Sequence, residues 1–162
     1  MTNAPRNKEN GLAAEIGKRT PFTSLKQEAY LNLVRTHEQL AGQFARLLKQ
    51  HGLSDPQYNA LRILRGEGKP MQTYQIAERM ITSQTDISRL VDRLETNELV
   101  ERERSAEDRR VVWVTLTKQG SAILKKLDQP VADLHESQFK AFSDDQLKSL
   151  TKLLFAARKS GE

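Results

Sequence analysis

The chain has 162 residues, which suits one domain with a buried core, and 37% of it is hydrophobic against 29% charged. It contains no cysteine, which excludes disulfides, thiolate metal sites and thiol redox switches, and no apolar run is long enough to span a bilayer. The net charge of +5 favours a polyanion such as nucleic acid as the partner. The N-terminus lacks the apolar core of a secretory signal, and the absence of cysteine fits a cytoplasmic, reducing compartment.

The N-terminal part of the chain divides into a polar tail and a long helix. Residues 1–22 are polar and mildly cationic, and they are expected to form a flexible tail with one helical turn near 12–16. This tail is interpreted either as a solubilising segment or as an arm that touches DNA phosphates. Residues 24–50 carry an apolar stripe with coiled-coil-like spacing, which favours packing against a second subunit. The stripe consists of Tyr30, Leu33, His37, Leu40, Phe44, Leu47 and His51.

Capping residues mark three helices in the middle of the chain. Ser54 and Gln57 form a predicted capping box at the start of a helix that Gly66 and Gly68 end. Thr73 is expected to cap a short helix over 74–80.

The next helix follows after a turn of about three residues. Ser83, with Asp86 three residues later, predicts its capping box, and the helix is expected to run to about Thr96. Two short helices joined by so tight a turn are typical of a helix-turn-helix.

Two strand-like segments follow, over 99–105 and 111–117, joined by a short charged stretch. A β-hairpin directly after a helix-turn-helix is the pattern of a winged helix. Thr117 then caps a predicted helix that Pro130 should kink or break, and Ser143 caps the last helix.

Four stretches of this pattern resemble the MarR (multiple antibiotic resistance regulator) family of bacterial transcription regulators. They are QIAERM (75–80), DISRLVDRLE (86–95), LVERERS (99–105) and DRRVVWVTLT (108–117). The resemblance implies a mainly α fold with a small β-wing (α+β), in which a winged helix-turn-helix lies between N- and C-terminal helices that form a homodimerisation domain. The implied divisions are a flexible tail (1–22), a dimerisation helix (23–53), a DNA-binding domain (54–117) and C-terminal dimerisation helices (118–162).

One position departs from the family pattern. The family usually has glycine just before the Leu-Val that opens the wing, and this sequence has Glu98 there. The glycine would relieve a left-handed backbone at the helix end. Since Asn97 tolerates that conformation, we expect it to take over this role one residue earlier.

The reading helix, expected over about 84–96, presents polar side chains opposite its apolar face. Base contacts in the major groove are assigned to Gln84, Thr85, Ser88 and Arg89. Asp86 is assigned to the cap, and phosphate contacts are assigned to Arg93 and Thr73. The alternative is an ordinary solvated helix face.

The wing, expected over about 99–117, carries a charged tip. Arg109 or Arg110 can enter the minor groove, and the resemblance favours Arg110, with Asp108 supporting the tip. The alternative is a surface salt bridge of little energetic value. From Ser83 to Arg110 there are six arginines and eight acidic residues, a net charge of −2, so this segment is not basic overall.

The resemblance also implies a homodimeric repressor that reads a pseudo-palindrome and is released by a small aromatic or anionic ligand. His37 and His51 are candidates for ligand or pH sensing, the alternative being interface histidines with hydrogen-bonded partners. An enzyme is not expected, because there is no Gly-rich phosphate loop, nucleophile elbow or metal-ligand spacing, and no cofactor, metal or membrane partner is expected either. The remaining rival is a winged helix that binds proteins without specific DNA binding.

Overall fold

The computed structural model describes residues 11–83, 86–108 and 111–160. These contain seven helices and three strands, which confirms a mainly helical chain with a small β-wing. The elements are α1 (Leu12–Glu15), α2 (Leu25–Lys49), α3 (Asp55–Glu67), β1 (Met71–Gln72), α4 (Thr73–Glu78), α5 (Ile87–Thr96), β2 (Val100–Arg104), β3 (Val112–Leu116), α6 (Lys118–Phe139) and α7 (Asp144–Lys159). Within the described ranges, no helix combines the length and apolarity needed to cross a bilayer.

The chain divides after Gln43 into two compact units. In the first unit, α1 confirms the helical turn expected near 12–16, and its Leu12 is buried. Glu15 of α1 forms an ion pair with Arg35 of α2 at 3.8 Å. Residues 1–10 of the expected tail lie outside the described residues.

The second unit has its core where α3, α5, α6 and the wing sheet meet. Helix α3 starts as expected, because the Ser54 backbone N–H donates to Gln57 Oε1 at 2.9 Å, and it ends at Gly68, whose φ of 70° is left-handed. Among the buried side chains, the largest with almost no exposed surface are Leu48, Leu61, Met71, Ile76, Leu94, Leu124, Leu127, Val91, Val100 and Val114. These buried apolar side chains form one core that holds the helices and the wing sheet of the second unit together.

The wing sheet has three antiparallel strands in the order β1-β3-β2. The predicted hairpin pairs Val100 with Leu116 and Arg104 with Val112. Strand β1 pairs Met71 with Val114 and was not predicted, because two residues are too short to show an alternating pattern.

Three sequence expectations on helix boundaries are corrected by the structure. Helix α4 has Gln72 as its N-cap rather than Thr73, since the Gln72 N–H donates to Gln75 Oε1 at 2.9 Å. Helix α5 begins at Ile87 with Asp86 as its N-cap, so Ser83 does not cap it. Helix α6 continues through Pro130 without a break. Where several residues can cap, local sequence alone does not select among them.

Candidate nucleic-acid interface

The reading helix α5 buries one face and exposes the other. Leu90, Val91 and Leu94 lie in the core, while Ser88 and Arg93 are exposed. This division follows from the helical spacing of the apolar residues.

Asp86 organises the first turn of α5. Its Oδ1 accepts a hydrogen bond from the Arg89 backbone N–H at 2.9 Å, which confirms its role in the cap. Its Oδ2 also lies 3.1 Å from Arg89 Nε, while the Arg89 side chain stays 79% exposed. One carboxylate therefore both caps the helix and orients an arginine that remains accessible at the start of the reading helix.

The structure places the predicted major-groove and phosphate residues only in part. Ser88 and Arg89 are both exposed near the start of α5, and Arg93 is exposed one turn later. Thr73 is the first residue of α4 and is half-buried. Gln84 and Thr85 lie outside the described residues.

The turn before α5 is anchored to α3 by contacts that the sequence did not reveal. Asn59 Oδ1 accepts a hydrogen bond from the Ile81 backbone N–H at 2.9 Å. Glu67 pairs with Arg79 at the end of α4 and with Lys69 at 3.2 Å. The hydrogen bond from Arg79, and to a smaller extent that from Lys69, lowers the pKa of Glu67. The helix-turn-helix thus takes its orientation from α3.

The base of the wing tip is closed by backbone hydrogen bonds. Val111 N–H donates to the Asp108 carbonyl and Ser105 N–H donates to the Val111 carbonyl, each at 2.9 Å. The expected groove residues Arg109 and Arg110 lie outside the described residues. That the Asp108 side chain supports Arg110 therefore stays a prediction.

The wing is joined to the reading helix by an ion-pair group that sequence reasoning missed, here named the Arg102 cluster (Arg102, Asp92 and Glu95). Arg102 on β2 donates from Nη1 to Asp92 Oδ1 at 2.7 Å and from Nε to Glu95 Oε2 at 2.8 Å, and its Nη2 also bonds to Glu95. The hydrogen bonds that Glu95 accepts from Arg102 lower the pKa of Glu95. The pKa of Arg102 is raised, mainly by its hydrogen bonds to Glu95 and less by the one to Asp92. Two of the eight acids that make this segment net negative are thereby paired within the protein.

The joint between α5 and β2 holds the residue that departs from the family pattern. Glu98 itself adopts the left-handed backbone, with φ 58°, whereas Asn97 has φ −89°. The expectation that Asn97 would take over is therefore wrong. The helix ends in a Schellman motif around Glu98, because the Glu98 N–H donates to the Glu95 carbonyl at 2.8 Å and the Leu99 N–H donates to the Leu94 carbonyl at 2.9 Å. Thr117 Oγ1 also donates to the Glu98 carbonyl at 2.7 Å, and Gln119 Nε2 donates to the Asn97 carbonyl at 3.2 Å.

The first residues of α6 pack against the same joint between α5 and β2. Thr117 Oγ1 accepts from the Gly120 N–H at 2.9 Å, as expected for the N-cap, so one hydroxyl serves both the helix and the joint. A Cβ on Gly120 would lie 2.2 Å from the Leu99 carbonyl oxygen, so only glycine fits there. The wing and α6 are consequently fixed to each other at their shared end.

The two histidines singled out in the sequence occupy different settings. His37 is exposed on α2, and His51 is half-buried in the turn after that helix. A depression of about 270 Å³ in the first unit lies between α1 and α2, and neither histidine lines it. Its lining residues are Leu12, Ile16, Leu31, Val34, Arg35 and Glu38.

Comparison with known proteins decides the family. Residues 53–112 match the MarR family model. A MarR transcription factor from Planctomyces limnophilus is 43% identical, with 84% of this chain and 99% of that one covered and a TM-score of 0.66. This chain belongs to the MarR family.

Two further relatives of this MarR-family chain are similar over most of their length. The homoprotocatechuate degradative operon repressor of Escherichia coli is 25% identical, over 75% of this chain and 82% of the relative. A Bordetella bronchiseptica protein, BpsR, whose DNA binding is regulated by 6-hydroxynicotinic acid, is 21% identical with a TM-score of 0.73, over 88% of this chain and 99% of that one. At that identity the second likeness shows the fold alone.

Family membership settles the class of function. The chain is a DNA-binding transcription regulator with a winged helix-turn-helix and not an enzyme. The rival interpretation, a protein-interaction module without specific DNA binding, finds no support among these relatives.

Proposed function

We propose that this MarR-family regulator is a cytoplasmic, dimeric repressor that binds a pseudo-palindromic operator and is released by a small aromatic or anionic ligand. The observation that carries its DNA-reading part is the start of α5, where Asp86 holds the exposed Arg89 next to Ser88. An arginine held in this way loses less side-chain freedom when it binds a base. The Arg102 cluster keeps the wing beside this helix.

The proposed contacts combine described residues with residues that lie outside the described part of the chain. Ser88 and Arg89, together with Gln84 and Thr85, contact base edges in the major groove. Arg93 and Thr73 bind phosphates, and phosphate contacts fix the register of the helix on the duplex. Arg109 or Arg110, with Arg110 favoured by the family resemblance, enters the minor groove from the wing tip, which Asp108 supports.

The proposed dimer uses apolar side chains that each unit leaves exposed. On α2, Tyr30 is 64% exposed, and Leu33 and Val34 are also exposed. On α7, Leu153 is 69% and Phe155 is 56% exposed. Tyr30, Leu33 and Val34 share one face of α2 by helical spacing, and an exposed apolar face of this kind marks an interaction site. A two-fold dimer would place its two reading helices on half-sites about 10 bp apart.

Ligand release is supported by the kind of operon that a relative controls. The repressor from Escherichia coli is named for a degradative operon, and a repressor of degradation is useful only if the degraded compound relieves it. The DNA binding of the Bordetella protein is regulated by 6-hydroxynicotinic acid, a small aromatic compound. In this chain, a ligand would act by binding more tightly to the state that does not fit DNA, and either His37 or His51 remains its proposed contact.

The test is fluorescence anisotropy of the protein against the duplex upstream of its own gene and against a shuffled duplex, across a salt series. A preference of about 10³-fold or more for the upstream duplex supports a site-specific repressor. Equal affinity for both duplexes, followed by a genome-wide selection that yields no preferred site, would refute it.

Two variants on the same helix separate base from phosphate contacts. Arg89→Ala should weaken operator binding by about 1–3 kcal/mol and leave the shuffled duplex nearly unaffected. Arg93→Ala should weaken both duplexes alike. The cap survives Arg89→Ala because Asp86 Oδ1 accepts from the backbone N–H of residue 89. Equal losses on both duplexes for Arg89→Ala would reassign that residue to a phosphate.

A further inference from the structure

The inner face of the wing carries two arginines in very different settings. Val100, Arg102 and Arg104 alternate onto one face of β2, and their β3 partners share that face. Val100 and its neighbour Val114 are buried, so this face is the one turned toward the core. From this face of β2, the Arg102 side chain bonds to Asp92 and Glu95 of α5. Arg104 lies on the same face, two residues closer to the wing tip.

The charge of Arg102 is neutralised by two carboxylates, whereas Arg104 has its full charge available. The Nε, Nη1 and Nη2 atoms of Arg102 all donate to Asp92 or Glu95. Within the described part of the chain, no carboxylate forms an ion pair with Arg104. Arg104 therefore carries an unneutralised charge in a segment rich in acids.

A depression of about 270 Å³ lies on this face, lined by Arg102, Arg104 and Val112; we name it the inner-face cleft. Two of its three lining residues are arginines, and because Asp92 and Glu95 neutralise Arg102, Arg104 is the one whose charge can attract an anion there. Planar guanidinium groups match the oxygens of a phosphate especially well.

The geometry of winged-helix binding identifies that anion. When a helix occupies the major groove and a wing occupies the adjacent minor groove, the sugar-phosphate strand that separates the two grooves must pass between helix and wing. The inner-face cleft lies on the side of the wing that Arg102 joins to α5. Resting on the DNA-binding function proposed above, we propose that Arg104 binds a backbone phosphate of this strand, and that Arg102 is the positioning residue that holds the cleft open beside α5.

The first test compares two variants of opposite charge change at neighbouring positions, Arg104→Gln and Glu103→Gln. The two side chains lie on opposite faces of β2, and each variant changes the net charge by one unit. Binding to a random-sequence duplex is measured across a salt series, so that no operator is needed. For Arg104→Gln we expect the slope of log affinity against log salt to fall by about 0.9, which corresponds to a roughly fivefold weaker Kd near 0.15 M salt. Glu103→Gln should change this slope far less.

Four results separate the explanations. An unchanged slope for Arg104→Gln overturns the phosphate contact. Equal and opposite effects of the two variants also overturn it, because they indicate only a general field of the wing. If the unmodified protein binds no duplex in a salt-dependent way, the proposed function fails together with the contact. A lowered slope without any preferred operator supports the contact while the repressor proposal fails.

A double-mutant cycle tests the positioning role. In the Arg102→Met background, Arg104→Gln should cost clearly less than in the native background, since the cleft no longer holds its geometry. Additive losses would show that Arg102 does not position Arg104. The folded state of each variant is checked by urea unfolding monitored by circular dichroism.

Discussion

Replacing Glu98 with glycine should stabilise this protein, although it removes a side chain. Glu98 has φ 58°, and its N–H and carbonyl are held by the Glu95 carbonyl at 2.8 Å and by Thr117 Oγ1 at 2.7 Å. The joint is therefore fixed by its backbone bonds, which a glycine would keep. Only the Cβ of residue 98 conflicts with the left-handed conformation.

The magnitude follows from two opposing terms. A residue with a Cβ pays about 1–2 kcal/mol in the left-handed region. Glycine loses more backbone entropy on folding and so gives back about 0.5–1 kcal/mol. The net gain in unfolding free energy expected for Glu98→Gly is about 0.5–1 kcal/mol. In a chain of this size each kcal/mol raises Tm by roughly 2–4 °C, so the expected rise is about 1–4 °C.

The assay is thermal and urea unfolding at one fixed protomer concentration, because dimerisation makes stability depend on concentration. Glu98→Ala is the control for charge: it removes the carboxylate but keeps the Cβ, so it should give no gain. Asn97→Gly is the control for position, and it should destabilise by about 0.5–1 kcal/mol because φ there is −89°. Equal gains from Glu98→Ala and Glu98→Gly would refute the strain argument and point to electrostatics instead.

Three other substitutions test the contacts that hold the interface. Gly120→Ala should cost about 3 kcal/mol of unfolding free energy, because its Cβ would meet a backbone carbonyl at 2.2 Å. Gly66→Ala, in the last turn of α3 where nothing lies within 4 Å of the added Cβ, should instead add about 0.5 kcal/mol in the same urea titration. Thr117→Val should cost about 1–2 kcal/mol by thermal unfolding, since it removes both hydrogen bonds of the hydroxyl, and the serine variant should restore them. Arg102→Met should cost about 1 kcal/mol at neutral pH. Because Arg102 lowers the pKa of Glu95 in the folded state, that stability is present above the unfolded pKa of about 4.3 and is lost as pH falls. The stability gap between Arg102→Met and the native chain should therefore narrow below about pH 4, and a gap independent of pH would contradict the assignment.

The winged-helix fold could be predicted from local patterns. Apolar spacing identified α2, α5 and α6, and capping chemistry located Ser54, Thr117 and Ser143 correctly. These signals are local, since a cap bonds within three residues and an apolar face repeats every turn. Where two caps compete within one segment, as at Ser83 and Asp86, the local signal did not choose between them.

The candidate interface could be predicted only to the level of which face is exposed. Ser88 and Arg89 were identified because they lie opposite an apolar face. The pairing of Asp86 with the Arg89 side chain is local, since the two residues lie three apart at the start of one helix. The pairing of Arg102 with Asp92 and Glu95, and the availability of Arg104, depend instead on which carboxylates the fold brings near each arginine. The net charge of residues 83–110 can be read from the sequence, but the ion pairs in which these charges neutralise each other cannot.

The sequence by itself determined the order of elements, the family and the existence of a reading helix followed by a wing, because each of these depends on residues close together in the chain. Tertiary structure decided how these elements are held. Arg102 bonds to Asp92 and Glu95 across the joint, and Asn59 holds the turn at Ile81. Thr117 and Gln119 at the start of α6 bond to the carbonyls of Glu98 and Asn97. These contacts join residues from 7 to 22 positions apart. These contacts form only when the packed core brings the two segments together, so a pattern of neighbouring residues does not reveal them.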